Sequence, residues 1–134
     1  MTTYFERYIL LADDDGDDQD LLTESILQRR PSALIKTVNN GPQVLAWLDE
    51  CPDEQLPAML ILDYKMPILN AGQVLDELNA NIRYAALPKV VWSTSSNSKH
   101  IDECLSKGAL KYFPKPNNVT ELAVITETIL SLCD

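Results

Sequence analysis

Asp63 closes an apolar run, Ala58-Met59-Leu60-Ile61-Leu62, and is followed by Tyr64-Lys65-Met66-Pro67. A run so short and so apolar reads as a strand buried on both faces. A carboxylate at its end leaves the hydrophobic layer where the loops begin, and open α/β sheets bind ligands along that edge. Three more apolar runs end in polar groups. Residues 8–12 lead into Asp13-Asp14-Asp15, residues 89–92 into Ser93-Thr94, and residues 109–113 into Pro114-Lys115-Pro116. Carboxylates, a hydroxyl and an ammonium at four strand ends suit one task, holding a divalent cation and a phosphoryl group together. Each group alone has a plainer use. An aspartate after a strand commonly caps a turn or helix, and a lysine between prolines is commonly a solvated loop residue. The ordered set is what carries the chemistry.

The elements that position these groups alternate along the chain. Strands are expected at 8–12, 34–38, 58–62, 89–92 and 109–113. Helical spacing appears between them. Leu21, Leu22, Ile26 and Leu27 mark a helix over 18–29. Pro42 fits the first turn of a helix that turns Val44, Leu45 and Leu48 inward. Val74, Leu75 and Leu78 mark a third helix. A fourth runs from about 98 to 107 and stops at Gly108. Leu122, Ile125, Ile129 and Leu132 place the fifth at about 118–132. Residues 51–57 read as a polar loop, and Asn39-Asn40-Gly41 as a turn. Fivefold β–α alternation with short connections predicts an α/β fold, a parallel sheet with helices on both faces.

The chain has 134 residues, most simply one domain over 1–134, and 46% are hydrophobic. Eleven basic against 20 acidic residues leave a net charge of −9. That balance argues against nucleic acid and against anionic membranes as partners. Cys51, Cys104 and Cys133 are odd in number and lack a CxxC pair, so neither zinc nor a disulfide framework is indicated. No secretory signal pattern and no membrane-length apolar run occur, and a cytoplasmic location is expected. Six aspartates fall within residues 13–20. A calcium loop of the EF-hand type would put Leu11 at its first ligand position, counting back from Gly16, so that reading fails.

With these residues in view, the chain resembles the receiver domain of two-component response regulators, over essentially its whole length. The resemblance rests on Asp13-Asp14 after strand one, Asp63 in Asp-x-x-Met-Pro after strand three, Ser93 after strand four and Lys115-Pro116 after strand five. It looks most like the small stand-alone receivers. It implies a flavodoxin-like sheet of order 2-1-3-4-5 and no output domain. It implies that Asp63 accepts a phosphoryl group from a sensor histidine kinase or a histidine phosphotransfer protein. Asp13, Asp14, Asp63 and the backbone carbonyl of Lys65 would hold Mg²⁺. Lys115 would pair with the phosphoryl oxygens, aimed by a cis Lys115–Pro116 bond. Ser93 would donate a hydrogen bond and, with Tyr112, act as the switch, the ring rotating inward as Ser93 moves. Thr94 competes for the hydroxyl role if strand four shifts by one residue. Lys65 and Ser95 occupy positions that tune phosphate lifetime. The output would be a protein target bound through helix four, strand five and helix five. Such a chain catalyses only its own phosphorylation and dephosphorylation.

Two departures stand out. The family's glycine eight residues after the phosphorylated aspartate is Ala71 here, with Gly72 next; helix spacing favours replacement over insertion. Lys65 is long and charged, and is expected to shield the phosphoryl group. Asp17, Asp18 and Asp20 read as electrostatic support for the first helix. His100 reads as a helix residue away from the strand ends. Two other classes compete: a pseudo-receiver that binds partners without phosphorylation, and an aspartate-nucleophile phosphohydrolase. The latter typically needs a second carboxylate where Lys65 stands.

Overall fold

The computed structural model describes residues 7–133. Five parallel strands, β1 (Tyr8–Ala12), β2 (Leu34–Val38), β3 (Met59–Leu62), β4 (Lys89–Ser93) and β5 (Lys111–Pro114), form one sheet in the order β2-β1-β3-β4-β5. Five helices connect and follow them: α1 (Gly16–Arg29), α2 (Gly41–Glu50), α3 (Ala71–Asn79), α4 (Ser98–Ser106) and α5 (Val119–Cys133). β1, β3 and β4 are buried along their whole length, as continuous apolar runs demand of central parallel strands. β2 is an edge strand and mostly exposed.

The alternation of side chains along each strand divides the core in two. Leu10, Leu60, Leu62 and Val91 face α2 and α3 through Val44, Leu48, Val74 and Leu75. Ile9, Leu11, Met59, Ile61 and Trp92 face α1 and α5 through Leu22, Ile26, Ile125 and Ile129. On α1, Leu21 and Leu27 prove exposed, because only the stripe of Leu22 and Ile26 meets the sheet. A hydrogen bond of 2.7 Å between the buried hydroxyls of Ser25 and Thr126 ties α1 to α5. The 51–57 segment contains a short 3-10 turn, Asp53–Gln55.

β5 begins two residues later than its apolar run suggests. Ala109 still donates to Cys104 at the end of α4, and Leu110 N–H goes to the Lys89 carbonyl, so the chain enters the ladder only at Lys111. Gly108 ends α4 at φ 103°, a conformation that glycine adopts without steric cost. Ile68 has no such freedom. It stands at φ 75° with its side chain 78% exposed, in the loop after β3. A β-branched residue there is strained by about 1–2 kcal/mol. Ile68→Gly is therefore expected to stabilise the protein by about 1 kcal/mol, since no buried contact is lost. A urea melt that moves to lower midpoint would refute this.

Candidate functional site

The ladder continues one residue beyond several strands, and this sets the site residues in place. Asp13 N–H donates to Val38 O at 3.1 Å, Asp63 N–H to Ala12 O at 2.9 Å, and Lys115 N–H to Ser93 O at 2.8 Å. The polar groups at these strand ends are thus fixed by backbone bonds before any side chain acts. Asp13 and Asp63 are buried, and Asp14 is exposed. One carboxylate oxygen from each of the three lies within 4.8 Å of the others, a spacing that could hold a metal ion.

Lys115 reaches into this cluster. Its Nζ lies 2.9 Å from Asp13, 2.7 Å from Asp18 and 3.4 Å from Asp63. Its ammonium also lies over the Trp92 ring, with Nζ 5.2 Å from the centroid. Burial disfavours the ammonium. The hydrogen bonds to Asp18 and Asp13 and the charge of Asp63 outweigh that, and hold its pKa above the ordinary lysine value. The expected cis bond at Lys115–Pro116 is not found: every peptide bond among the described residues is trans. The three carboxylates and the Lys115 N–H bond to Ser93 orient the lysine instead.

Asp13 is saturated. Its Oδ1 accepts from Asp15 N–H at 2.9 Å, and its Oδ2 from the Trp92 indole at 3.1 Å as well as from Lys115. Asp63 is not. Burial, then the charge of Asp13, push its pKa from an ordinary 3.8 up to about 7, with Lys115 pulling the other way. A carboxylate in that condition gains from any added positive charge. The donor set, hard oxygens with a net negative charge, therefore fits a divalent cation of the Mg²⁺ class.

Register sets the places of the two hydroxyls after β4. Leu62 pairs with Val91, so Ser93 ends β4 fully buried while Thr94 is exposed. Ser93 Oγ accepts from Ser95 N–H at 3.1 Å. Tyr112 already lies inward: its ring packs on the core and its hydroxyl donates to Ser95 O at 2.8 Å. Lys65 is exposed. Asn70 caps α3 through a capping box with Gln73, and Ala71 is the buried first residue of that helix. Gly72 leaves room for its neighbour: a Cβ there would come within 2.6 Å of the Glu103 carboxylate carbon, and the Glu103 side chain would have to shift.

Two residues were misplaced by sequence reasoning. Asp18 does more than support the helix start: Asp15 is the N-cap, which leaves the Asp18 carboxylate for Lys115. His100 lies beside the site, not away from it. Its ring stacks on Tyr64 with centroids 4.0 Å apart, and its Nδ1 is 2.7 Å from Ser95 Oγ. Tyr64 in turn donates to Glu103 at 2.6 Å. Position in the first turn of a helix was the available signal for both, but nothing local shows which way that turn faces.

Residues 9–127 match the family model of the response regulator receiver domain. The chain belongs to this family. Its relatives are two-component response regulators. The rice (Oryza sativa subsp. japonica) two-component response regulator ORR7 is 27% identical over 92% of this chain, which spans 56% of that relative's length. Among solved structures, the phosphorylated cyanobacterial phytochrome response regulator RcpA superposes with a TM-score of 0.83 at 25% identity, covering 93% of this chain and 91% of that one. Response regulator RPA3017, from red light signalling of R. palustris, gives 0.72 at 30% identity, covering 93% and 90%. The receiver domain's sheet order and helix arrangement here are those of the flavodoxin-like fold.

Proposed function

We propose that this receiver domain is a phosphorylation-driven switch that accepts a phosphoryl group on Asp63 from a phosphohistidine of a histidine kinase or phosphotransfer protein. The observation that carries the reading is the meeting of three distant parts of the chain, with Lys115 Nζ 2.9 Å from Asp13 and 3.4 Å from Asp63. A carboxylate oxygen of Asp63 attacks phosphorus, the phosphorus–nitrogen bond of the donor breaks, and the electron pair leaves with the imidazole. Lys115 neutralises a phosphoryl oxygen as a point charge. Ser93 turns its hydroxyl toward the phosphoryl group, and Ser95 N–H loses its acceptor. Mg²⁺, held by Asp13, Asp14, Asp63 and the Lys65 carbonyl, would supply charge that offsets repulsion between the carboxylates and the incoming group.

Ser95 would transmit the change, because it is bonded to Ser93, His100 and Tyr112. The reading surface is α4, β5 and α5, with Leu105 on α4, Leu110 just before β5 and Val124 on α5 exposed. A protein target that favours the phosphorylated arrangement binds there.

The test is intact mass after incubation with Mg²⁺ and acetyl phosphate. A single phosphoryl adduct is expected for the wild type and none for Asp63→Ala. The absence of any wild-type adduct would turn the assignment toward a pseudo-receiver. Lys65, exposed beside the site, is expected to shield the phosphoryl group from water. The adduct should decay several-fold faster in Lys65→Ala, by roughly 1 kcal/mol of barrier, and equal lifetimes would remove the role.

A further inference from the structure

We propose that Asp18 is a positioning residue for Lys115: it holds the ammonium at the mouth of the site without claiming the oxygens that a cation needs. The inference rests on the phosphoacceptor reading above and deepens it.

The ammonium has three carboxylate partners, and they are not equivalent. Asp13 and Asp63 belong to the cluster that could hold a metal; Asp18 does not. The contact with Asp18 is the shortest of the three, 2.7 Å against 2.9 Å and 3.4 Å. Ammonium and divalent cation are like charges seeking the same oxygens, so each weakens the hold of the other. With only Asp13 and Asp63 available, Lys115 would have to compete for them or leave the site. Asp18 gives it a third, anionic place within one side chain's motion.

Asp18 can serve in this way because the helix start does not need its carboxylate. Asp15 accepts the N–H groups of both Asp17 and Asp18, at 2.9 and 3.2 Å. The third position of α1 then faces the end of β5, and the side chain is half-buried against Lys115.

The consequence is a coupling between Asp18 and cation binding that passes through Lys115. Mg²⁺ affinity can be followed by Trp92 emission in a Trp47→Phe background, since the Trp92 indole is bonded to Asp13. Asp18→Asn should weaken Mg²⁺ binding about tenfold. Asp17→Asn removes the same charge from an exposed neighbour and should weaken it by less than about twofold. Asp18→Glu should restore most of the affinity. In a Lys115→Met background, where no ammonium needs a place, Asp18→Asn should cost no more than Asp17→Asn.

Unchanged affinity in Asp18→Asn would overturn the proposal. So would equal losses from Asp17→Asn and Asp18→Asn, or a full Asp18→Asn loss that persists without Lys115, because either assigns the effect to net charge. A wild-type chain that binds no Mg²⁺ would fail at the earlier step, taking the cation reading and the role of Asp18 together.

Discussion

Asp63→Asn should make the protein more stable, although it removes the residue at the centre of the site. Asp63 is buried beside Asp13, and both burial and that neighbour's charge penalise its ionised form. Its pKa of about 7 in the folded chain lies above the ordinary 3.8. Between those values the folded state keeps a proton that the unfolded chain has released. Stability therefore falls as pH rises through that window, and the cost of ionised Asp63 is complete only above about pH 7. The full shift corresponds to about 4 kcal/mol. Water at the mouth of the site screens part of it, so about 2 kcal/mol is expected at pH 8 in chelator. Urea melts of wild type and Asp63→Asn should diverge from pH 4 to pH 7 and run parallel above. Mg²⁺ should stabilise the wild type and leave the variant nearly unchanged. A variant that is less stable at pH 8, or an offset independent of pH, would contradict this account of the site.

Lys115→Met should act in the opposite direction. Methionine keeps an unbranched apolar side chain but removes the ammonium that lies over Trp92 and faces Asp13, Asp18 and Asp63. Deleting one partner of a buried ion pair costs about 3–5 kcal/mol, because the remaining charge stays buried without compensation. Here carboxylates can take up protons or a cation, so about 3 kcal/mol is expected at pH 8 in chelator, and less at pH 5 or with Mg²⁺ present. The two substitutions share one cluster and should not be additive. With Asp63 already neutral, Lys115→Met should cost noticeably less. Equal costs in the two backgrounds would show that Asp63 and Lys115 are not coupled, and the paired reading of the site would fall with them.

Much of the fold was legible without coordinates, because it follows from local pattern. β1 and β2 begin and end where their apolar or β-branched runs do. α3 buries Val74, Leu75 and Leu78 as their spacing requires. Strand ends carrying Asp13, Asp63 and Lys115 could be placed on one edge because parallel β–α units bring every strand's C-terminal end to the same side. Other features were hidden. The start of β5 depends on where the Leu110 N–H finds an acceptor, which is Lys89, some twenty residues earlier. The left-handed conformation of Ile68 contradicts its own steric preference, so no propensity could have announced it.

The order of strands and helices, most of the core stripes and the identity of the ionisable groups were determined by the sequence alone, because periodicity is a property of a residue and its near neighbours. Which charges meet was decided only by the tertiary structure. Asp18 and Lys115 are 97 positions apart, yet their charged groups lie 2.7 Å apart. His100 on α4 stacks on Tyr64, which follows β3, and only the folded chain brings the two rings together. Electrostatic coupling depends on the distance and burial of a pair, and no reading of single residues along a chain contains that distance.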